Sequence, residues 1–221
     1  YAIQTAPRQN QPRGNGCLGT AGSGIEDGLR VRRSTFAAVL DACVLYPAPL
    51  RDLLMRLGLS GLYQPQWSAQ IQEEWTRNVL KNRPDVSIEQ LNRTVQMMND
   101  ALPSALVTGH EMLCANLNLP DLDDRHVLAA ALRCEAEVIV TFNLKDFPAA
   151  TLAAFDIQPL HPDEFIIDLW EQDRRAVLTS VQMQRASLKA PLIDARNYLK
   201  MMLRQGLPRT VEALEVYESM L

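Results

Sequence analysis

The chain has 221 residues, of which 47% are hydrophobic and 22% are charged, and its formal net charge at pH 7 is −4. These values indicate a soluble globular chain of one sizeable domain, with or without an appendage. The sequence contains no run of 18 apolar residues, so no membrane span is predicted. No apolar signal segment follows Tyr1 and the four cysteines form no C-x-x-C pair, which argues against secretion and a zinc site and favours the cytoplasm.

Residues 1–33 are rich in Gly, Gln, Asn, Pro, Arg and Ser and poor in apolar side chains. Such a segment buries too little apolar surface to offset the entropy lost on ordering, so we predict a disordered tail. Its glycines loosely resemble a phosphate-binding loop, but no strand precedes them and their spacing fits no such motif. The tail is therefore better interpreted as a linker.

The apolar run Phe36–Leu40 is too short for a helix and is predicted to be the first, central strand. Asp41 follows it directly, where an aspartate is as typical of a turn as of a catalytic site. The next six residues are predicted to turn the chain. A helix with four leucines on one face is then expected over Pro49–Leu59, stopped by Gly58 and Gly61.

A weak second strand is predicted at Leu62–Gln64, and Ser68 is placed to cap the helix that follows. That helix has a buried stripe with a spacing of four residues, formed by Ile71, Trp75 and Val79. Glu73 and Glu74 lie beside the stripe. Since they are about 100° apart around the axis, one can face solvent while the other points toward the edge of the core.

The residues Ser87 to Gln90 have the spacing of a capping box and open the next helix, which ends before Pro103. A third strand is predicted at Ala105–Thr108. Beyond it, apolar residues recur at three- and four-residue spacing and predict a helix of about eleven residues. Its buried stripe contains Val127, Leu128, Ala131 and Leu132.

Asp121, Asp123 and Asp124 precede this helix, and helix capping would account for one or two of them. The buried strand Val138–Val140 follows and leads directly into Thr141-Phe142-Asn143 and then Asp146. Binding sites in open parallel sheets lie outside the carboxyl ends of the strands. We therefore expect Asn143 and Asp146 to lie at a site.

The predicted elements alternate between strands and helices, with a fifth short strand at Ile157–Leu160, which is typical of an α/β fold with a central parallel sheet covered on both faces. Such a sheet brings polar residues together at the carboxyl ends of its strands. They are Asp41, Glu74, Asp121, Asp124, Asn143 and Asp146. Converging carboxylates repel one another, and a divalent metal ion would remove that conflict.

From Asp163 onward the pattern is helical, with one amphipathic stripe at residues 165–170 and further helices predicted at Ala190–Leu203 and Thr210–Leu221. Residues 174–209 contain eight basic side chains and one acidic side chain. Solvated helix faces would account for this charge. Contact with phosphates is the alternative, because an acidic site needs positive charge elsewhere to bind a polyanion. The candidate RNA-binding residues are Arg196, Lys200 and Arg204.

Four segments together resemble the successive motifs of PIN-domain nucleases, and are most similar to the VapC toxins of bacterial toxin–antitoxin modules. They are residues 40–45, the helix from Ser68 to Leu80, residues 121–126 and residues 140–147. The resemblance covers roughly residues 36–160, so we expect a PIN-like domain at 34–160 and a C-terminal helical extension at 161–221. It implies a three-layer α/β/α fold and cleavage of RNA with Mg²⁺ or Mn²⁺ as cofactor.

By position, the resemblance makes Asp41, Glu74 and Asp124 the first, second and third acids, with catalytic and metal-binding roles. Asn143 stands where many members carry a fourth acid, which leaves the metal site less negative unless Asp121 or Asp146 compensates. The implied partners are an RNA substrate and a cognate antitoxin, with a homodimer as a further option. His126 is expected to be structural, with a general acid as the alternative.

Two other functions remain open. Asp41 is placed like the nucleophile of an aspartyl phosphatase, but the second acid that such enzymes commonly carry two residues later is replaced by Cys43. Asn143 leaves room for a PIN-like scaffold that binds RNA or a partner without turnover. Cleavage of RNA that depends on a divalent metal would distinguish the nuclease from both.

Overall fold

A computed structural model describes residues 35–189 and 192–221, so the tail predicted at residues 1–33 lies outside the described residues. The described residues form a central sheet of five parallel strands with helices packed on it, followed by further helices toward the C-terminus. This confirms the predicted α/β/α fold with a C-terminal helical extension. No helix within these two ranges is long and apolar enough to cross a membrane.

The five strands have the following bounds: β1 Ala37–Leu40, β2 Gln64–Ser68, β3 Leu106–Val107, β4 Val138–Val140 and β5 Gln158–Leu160. The α-helices are α1 Ala42–Leu45, α2 Ala48–Leu59, α3 Ala69–Asn82, α4 Ile88–Ala101, α5 Arg125–Arg133, α6 Ala149–Leu152, α7 Pro162–Gln172, α8 Arg174–Ser187, α9 Ala195–Arg204 and α10 Pro208–Glu215. Short 3-10 helices cover Pro103–Ala105, Glu111–Asn116, Ala153–Phe155 and Glu218–Met220.

The first strand is the centre of the sheet, as the sequence predicts. The strand order is β3-β2-β1-β4-β5, and Ala38 pairs with Pro65 on one side and with Val138 on the other. A strand covered on both faces must be apolar throughout, and Ala38 to Leu40 are fully buried. Because β4 lies beside β1, the residues that follow these two strands emerge next to each other.

The second strand differs from the prediction, because it runs over Gln64–Ser68 and not over Leu62–Gln64. Pro65 lies inside it, and a proline normally argues against a strand that pairs on both sides. Gly58 was predicted to stop α2 but lies within it, and a Cβ at this glycine would be 2.6 Å from Cγ of Pro65. This glycine therefore allows α2 to approach β2, while Gly61, with φ at +79°, follows the helix end.

Other local predictions are confirmed at their helix starts. The Ser68 hydroxyl accepts a hydrogen bond from the Ile71 amide at 3.2 Å, and Ser87 and Gln90 form the reciprocal capping box. The six residues after Asp41, predicted as a turn, contain the one-turn helix α1. The third strand is shorter than predicted, with only two residues in β3.

The C-terminal region contains more helices than the periodicity predicts. The stripe at residues 165–170 is the buried face of α7, but α8 was not predicted as a separate helix. The segment predicted from Ala190 begins outside the described residues, and α9 starts only at Ala195, where Asp194 caps it. In the last predicted segment, α10 ends at Glu215 and is followed by a 3-10 turn.

Asp163 joins the first and last helices of this region. Its buried carboxylate accepts hydrogen bonds from the amides of Arg209 and Thr210, both at 2.9 Å, and from the Thr210 hydroxyl at 2.7 Å. An aspartate near the start of α7 thereby satisfies free amides at the start of α10. The described residues before and after 161 contribute to one hydrophobic core, and the division into domains at 34–160 and 161–221 stays a prediction.

Candidate metal centre

Three aspartates meet at the carboxyl edge of the sheet. Asp121, Asp124 and Asp146 each offer a carboxylate oxygen, and these oxygens all lie within 4.8 Å of one another. Asp121 is exposed and the other two are half-buried. Among the acidic, histidine and cysteine side chains of the described residues, these three are the ones close enough together to hold a metal ion. Sequence reasoning placed Asp121 and Asp146 only in supporting roles.

The turn before α5 contributes two of these aspartates. Asp124 is the N-cap residue of α5, yet its side chain makes no capping hydrogen bond. The Asp121 carboxylate accepts a hydrogen bond from the Asp123 amide at 2.9 Å, which shapes the turn. Capping therefore does not account for Asp124, whose carboxylate remains available to the site.

Asp41 is held at the end of β1 by a residue that follows β4 and by a residue of α1. It is only 6% exposed, and its Oδ2 accepts hydrogen bonds from the Thr141 hydroxyl at 2.7 Å and from the Cys43 thiol at 2.9 Å. The Asp41 amide donates to the Val140 carbonyl at 3.1 Å, which continues the strand pairing. Asp41 is thus fixed in position by two side chains that were not predicted from the sequence to hold it.

Cys43 links the two strand ends. Its sulfur accepts a hydrogen bond from the Phe142 amide at 3.2 Å, and burial, followed by the nearby Asp41 carboxylate, raises the pKa of the thiol well above its ordinary value. The group therefore stays a neutral thiol that can donate to Asp41. The only sequence signal for this role was the position of Cys43 two residues after Asp41.

Asn143 orients one of the clustered aspartates. Its side-chain amide donates a hydrogen bond to Asp146 Oδ2, and the Asp146 amide donates to the Asn143 carbonyl at 3.1 Å. The Asn143 amide in turn donates to the Thr141 hydroxyl at 2.9 Å. Asn143, which stands in place of a fourth acid, therefore orients Asp146 through a hydrogen bond. Asp146 in turn supplies a carboxylate to the cluster.

Burial and neighbouring negative charges raise the pKa of Asp124 from 3.8 to about 7. Burial contributes most, followed by the negative charges of Asp41, Asp121, Asp146 and Glu74. The four other acids predicted from the sequence therefore lie close enough to Asp124 to act on it. A bound cation would relieve this conflict, and three carboxylates are the hard oxygen ligands that Mg²⁺ and Mn²⁺ prefer.

Glu74 approaches from α3 and is held by a histidine. Its Oε1 lies 3.0 Å from Nε2 of His126, and its side chain is 22% exposed, whereas Glu73 is exposed on the same helix. A cleft of about 520 Å³ opens beside it. Arg77 from α3 and Thr108 from the end of β3 also line this cleft. It provides space beside Glu74 for a polar substrate, and the three clustered aspartates are not among its lining residues.

The predicted RNA-binding residues lie on α9 and are exposed. Arg196 pairs loosely with Glu218 at 3.6 Å, and Nε of Arg204 donates to the Lys200 carbonyl at 3.2 Å. The turn after α9 lies against Phe142, since a Cβ on Gly206 would be 3.5 Å from its ring. Phe142 immediately precedes Asn143, so the C-terminal end of α9 lies beside the acidic edge.

Comparison with known proteins agrees with this architecture. Residues 37–145 match the family model of the PIN domain, and residues 162–216 match that of the VapC50 C-terminal domain. Over 82 residues the chain is 46% identical to a Mycobacterium tuberculosis protein named "Putative ribonuclease VapC50". This alignment covers 36% of the chain and 48% of that protein, so the chain spans about half the length of this relative. No solved structure matches significantly.

Proposed function

The chain contains a PIN domain followed by a VapC50 C-terminal domain, and from this premise we propose that it is a metal-dependent endoribonuclease acting as the toxin of a toxin–antitoxin pair. The observation that carries the proposal is the convergence of Asp121, Asp124 and Asp146 beside Asp41 and Glu74. The name of the similar protein, a ribonuclease, supports RNA as the substrate. Phosphodiester hydrolysis at a carboxylate-held metal ion is the chemistry that this set of residues suits.

We assign the cofactor as Mg²⁺, with Mn²⁺ as its substitute. Asp121, Asp124 and Asp146 would hold the ion directly, and Asp41 and Glu74 complete the negative site. When bound, such an ion acidifies and orients an attacking water and stabilises the charge on the leaving oxygen. The elevated pKa of Asp124 supports this assignment, because a site built for a cation contains an excess of negative charge in its absence.

The chain's own residues keep the acids in place. Thr141 and Cys43 hold Asp41 through two hydrogen bonds to one oxygen, and Asn143 holds Asp146. Pre-formed side chains lose little conformational entropy when a metal and substrate bind. Fixed carboxylates also avoid the cost of reorganisation during the reaction.

Nucleophilic catalysis by a side chain fits the site less well. Cys43 is a neutral thiol with a raised pKa, and its sulfur is already engaged with Asp41 and the Phe142 amide. Asp41 is buried and its Oδ2 accepts two hydrogen bonds, so this oxygen is a poor nucleophile for a phosphatase. Water is therefore the nucleophile that we propose.

RNA would reach the acids along the C-terminal extension. Arg196, Lys200 and Arg204 are exposed on α9, and the turn after α9 packs beside Phe142. Phosphates would bind these side chains while the scissile bond lies at the acids, because positive charge outside an acidic centre attracts a polyanion to it. A cognate antitoxin, a homodimer and a cytoplasmic location complete the proposal.

The test is cleavage of an end-labelled single-stranded RNA panel with Mg²⁺, with Mn²⁺ and with excess chelator. We expect discrete internal cleavage with metal, none with chelator, and loss of cleavage in Asp124→Ala. Asp123→Ala is the matched control, since it neutralises the adjacent carboxylate and should cost only a weaker helix start of about 0.5–1 kcal/mol.

Two results would contradict the proposal. Equal cleavage with and without chelator would rule out the metal-dependent mechanism. RNA that binds tightly but remains intact under every metal condition would favour the non-catalytic scaffold. If Asp123→Ala were inactive and Asp124→Ala active, the assignment of roles in the acidic turn would be wrong by one residue.

A further inference from the structure

A buried histidine contacts one of the proposed site acids. The His126 ring is 3% exposed, and its Nε2 lies 3.0 Å from Oε1 of Glu74. An ionised carboxylate can only accept hydrogen bonds, so Nε2 carries the proton and donates it. A hydrogen bond to a charged acceptor in a water-poor environment is among the stronger ones in a protein.

This contact joins two acid-bearing elements that are remote in the chain. Glu74 projects from α3, and His126 lies in the first turn of α5, two residues after Asp124. The two residues are 52 positions apart in the chain, and the segment between them includes all of α4 and β3. The orientation of the Glu74 carboxylate is therefore set by the helix that also begins at Asp124.

One ring nitrogen of His126 gains nothing from its place in the core. This nitrogen, Nδ1, is buried and has no hydrogen-bond partner among the residues the structure describes. An unsatisfied buried polar atom costs about 1–3 kcal/mol. An apolar side chain of similar size would fill the same space without that cost. What the imidazole adds is the Nε2–H group directed at Glu74.

We propose that His126 is a positioning residue that holds Glu74 in the orientation needed at the metal centre. Hydrogen bonds to carboxylates at a metal centre fix their rotamers, and removing such a supporting partner commonly lowers metal affinity by about 10–100-fold. The inference rests on the proposed function in taking Glu74 as part of the metal site. It assigns to His126 a role through Glu74, with no contact to metal or RNA.

Two amide substitutions test the geometry of this contact. The side-chain nitrogen of Gln reaches the place of His Nε2, whereas that of Asn reaches only the place of Nδ1. We expect His126→Asn to weaken Mn²⁺ binding by about 10–100-fold, measured by calorimetry without RNA, and His126→Gln to remain within about threefold of the parent. If a folded His126→Asn bound Mn²⁺ as the parent does, or if both variants lost affinity equally, the inference would be overturned.

His110 provides the control for packing. It is also buried, and neither of its ring nitrogens has a hydrogen-bond partner among the described residues. It makes no hydrogen bond to Glu74 within that part of the chain. We expect His110→Asn to change thermal stability while leaving Mn²⁺ affinity within about threefold of the parent. A loss matching that of His126→Asn would show that general loosening of the core is responsible.

A double-mutant cycle tests whether His126 acts through Glu74. In a Glu74→Gln background, adding His126→Asn should change Mn²⁺ affinity less than about twofold. The same loss in both backgrounds would overturn the inference. If His126→Asn does not fold, the parent is measured by NMR instead. The ¹⁵N signal of His126 Nε2 should then shift on addition of Mg²⁺ while the His110 signals stay in place. An unshifted His126 signal at saturating Mg²⁺ would refute the link between His126 and the metal centre.

Failure of this inference and failure of the proposed function have different signatures. A parent that cleaves RNA with metal, and whose Mn²⁺ affinity is insensitive to His126→Asn, refutes the positioning role alone. A parent whose Mn²⁺ affinity depends on His126 but that leaves RNA intact refutes the nuclease and supports the positioning role.

Discussion

Replacing Asp124 by Asn should stabilise the metal-free protein above neutral pH. The Asp124 carboxyl has its pKa raised from 3.8 to about 7 by burial and by four neighbouring acids. Its ionised form is therefore disfavoured in the folded state. The side chain makes no capping hydrogen bond, so Asn removes the charge without removing a helix cap.

The sign and size of the effect follow from linkage. Between pH 4 and 7 the folded chain retains the Asp124 proton while the unfolded chain has lost it, so stability falls as pH rises through this window and levels off above about 7. One pH unit of difference between the two pKa values corresponds to about 1.4 kcal/mol, which sets a ceiling of about 4 kcal/mol. Because Asp124 is half-exposed, solvent screening reduces the expected gain to about 1–2 kcal/mol.

The assay is urea denaturation of the parent and of Asp124→Asn in excess chelator at intervals from pH 4 to pH 8.5. The two free energies of unfolding should converge near pH 4 and separate as pH rises, with the variant more stable. Groups that titrate in both proteins cancel in the difference. With Mg²⁺ or Mn²⁺ at about 100 times the dissociation constant, the parent should gain about 2.7 kcal/mol and the variant less.

One outcome would refute this reasoning directly. If Asp124→Asn were no more stable than the parent at pH 8 in chelator, and the difference between them did not change with pH, the carboxylates would not repel one another in the folded state. Repulsion among the acids would then give no reason for a cation at this site.

Three further predictions concern activity. Asp41→Asn should lower metal-dependent RNA cleavage by at least about 100-fold because the negative charge is lost, and it should leave the circular dichroism melt nearly unchanged because the amide oxygen can still accept a hydrogen bond. A fully active variant would contradict the metal site. Glu74→Ala should cost at least about tenfold in cleavage rate and Glu73→Ala less than about twofold, since only Glu74 contacts His126 and acts on Asp124; equal effects would show that α3 is placed incorrectly. Arg196→Glu combined with Lys200→Glu should weaken RNA binding across sequences and reduce the salt slope by about 0.7 per lost phosphate contact, with cleavage of bound RNA retained; an unchanged slope would remove α9 from the RNA path.

The main elements of the fold could be predicted from local patterns. Amphipathic spacing identified α3 and α5, and capping residues identified the starts of α3 and α4, because these signals depend on side chains only three or four residues apart. Short apolar runs identified β1 and β4. The position of β2 was wrong because Pro65 weakens the strand signal, and its place in the sheet is set by packing against Gly58.

The identity of the acidic residues was visible in the sequence, and their grouping was not. All five acids follow predicted strands or lie on or before predicted helices, so their approach to one edge followed from parallel topology. Which oxygens come within 4.8 Å of one another depends on how α5 and the loop after β4 are placed, and this brought in Asp121 and Asp146. A loop conformation of this kind has no periodic pattern by which to predict it.

What the sequence by itself determined is therefore the order of the elements, the central position of β1 and the set of acids at its carboxyl edge. Only the tertiary structure decided how those acids are held. The hydrogen bond from Phe142 to Cys43 joins residues 99 apart, and that from His126 to Glu74 joins residues 52 apart. Such contacts depend on the packing of whole elements against one another, and no local pattern of residues specifies them.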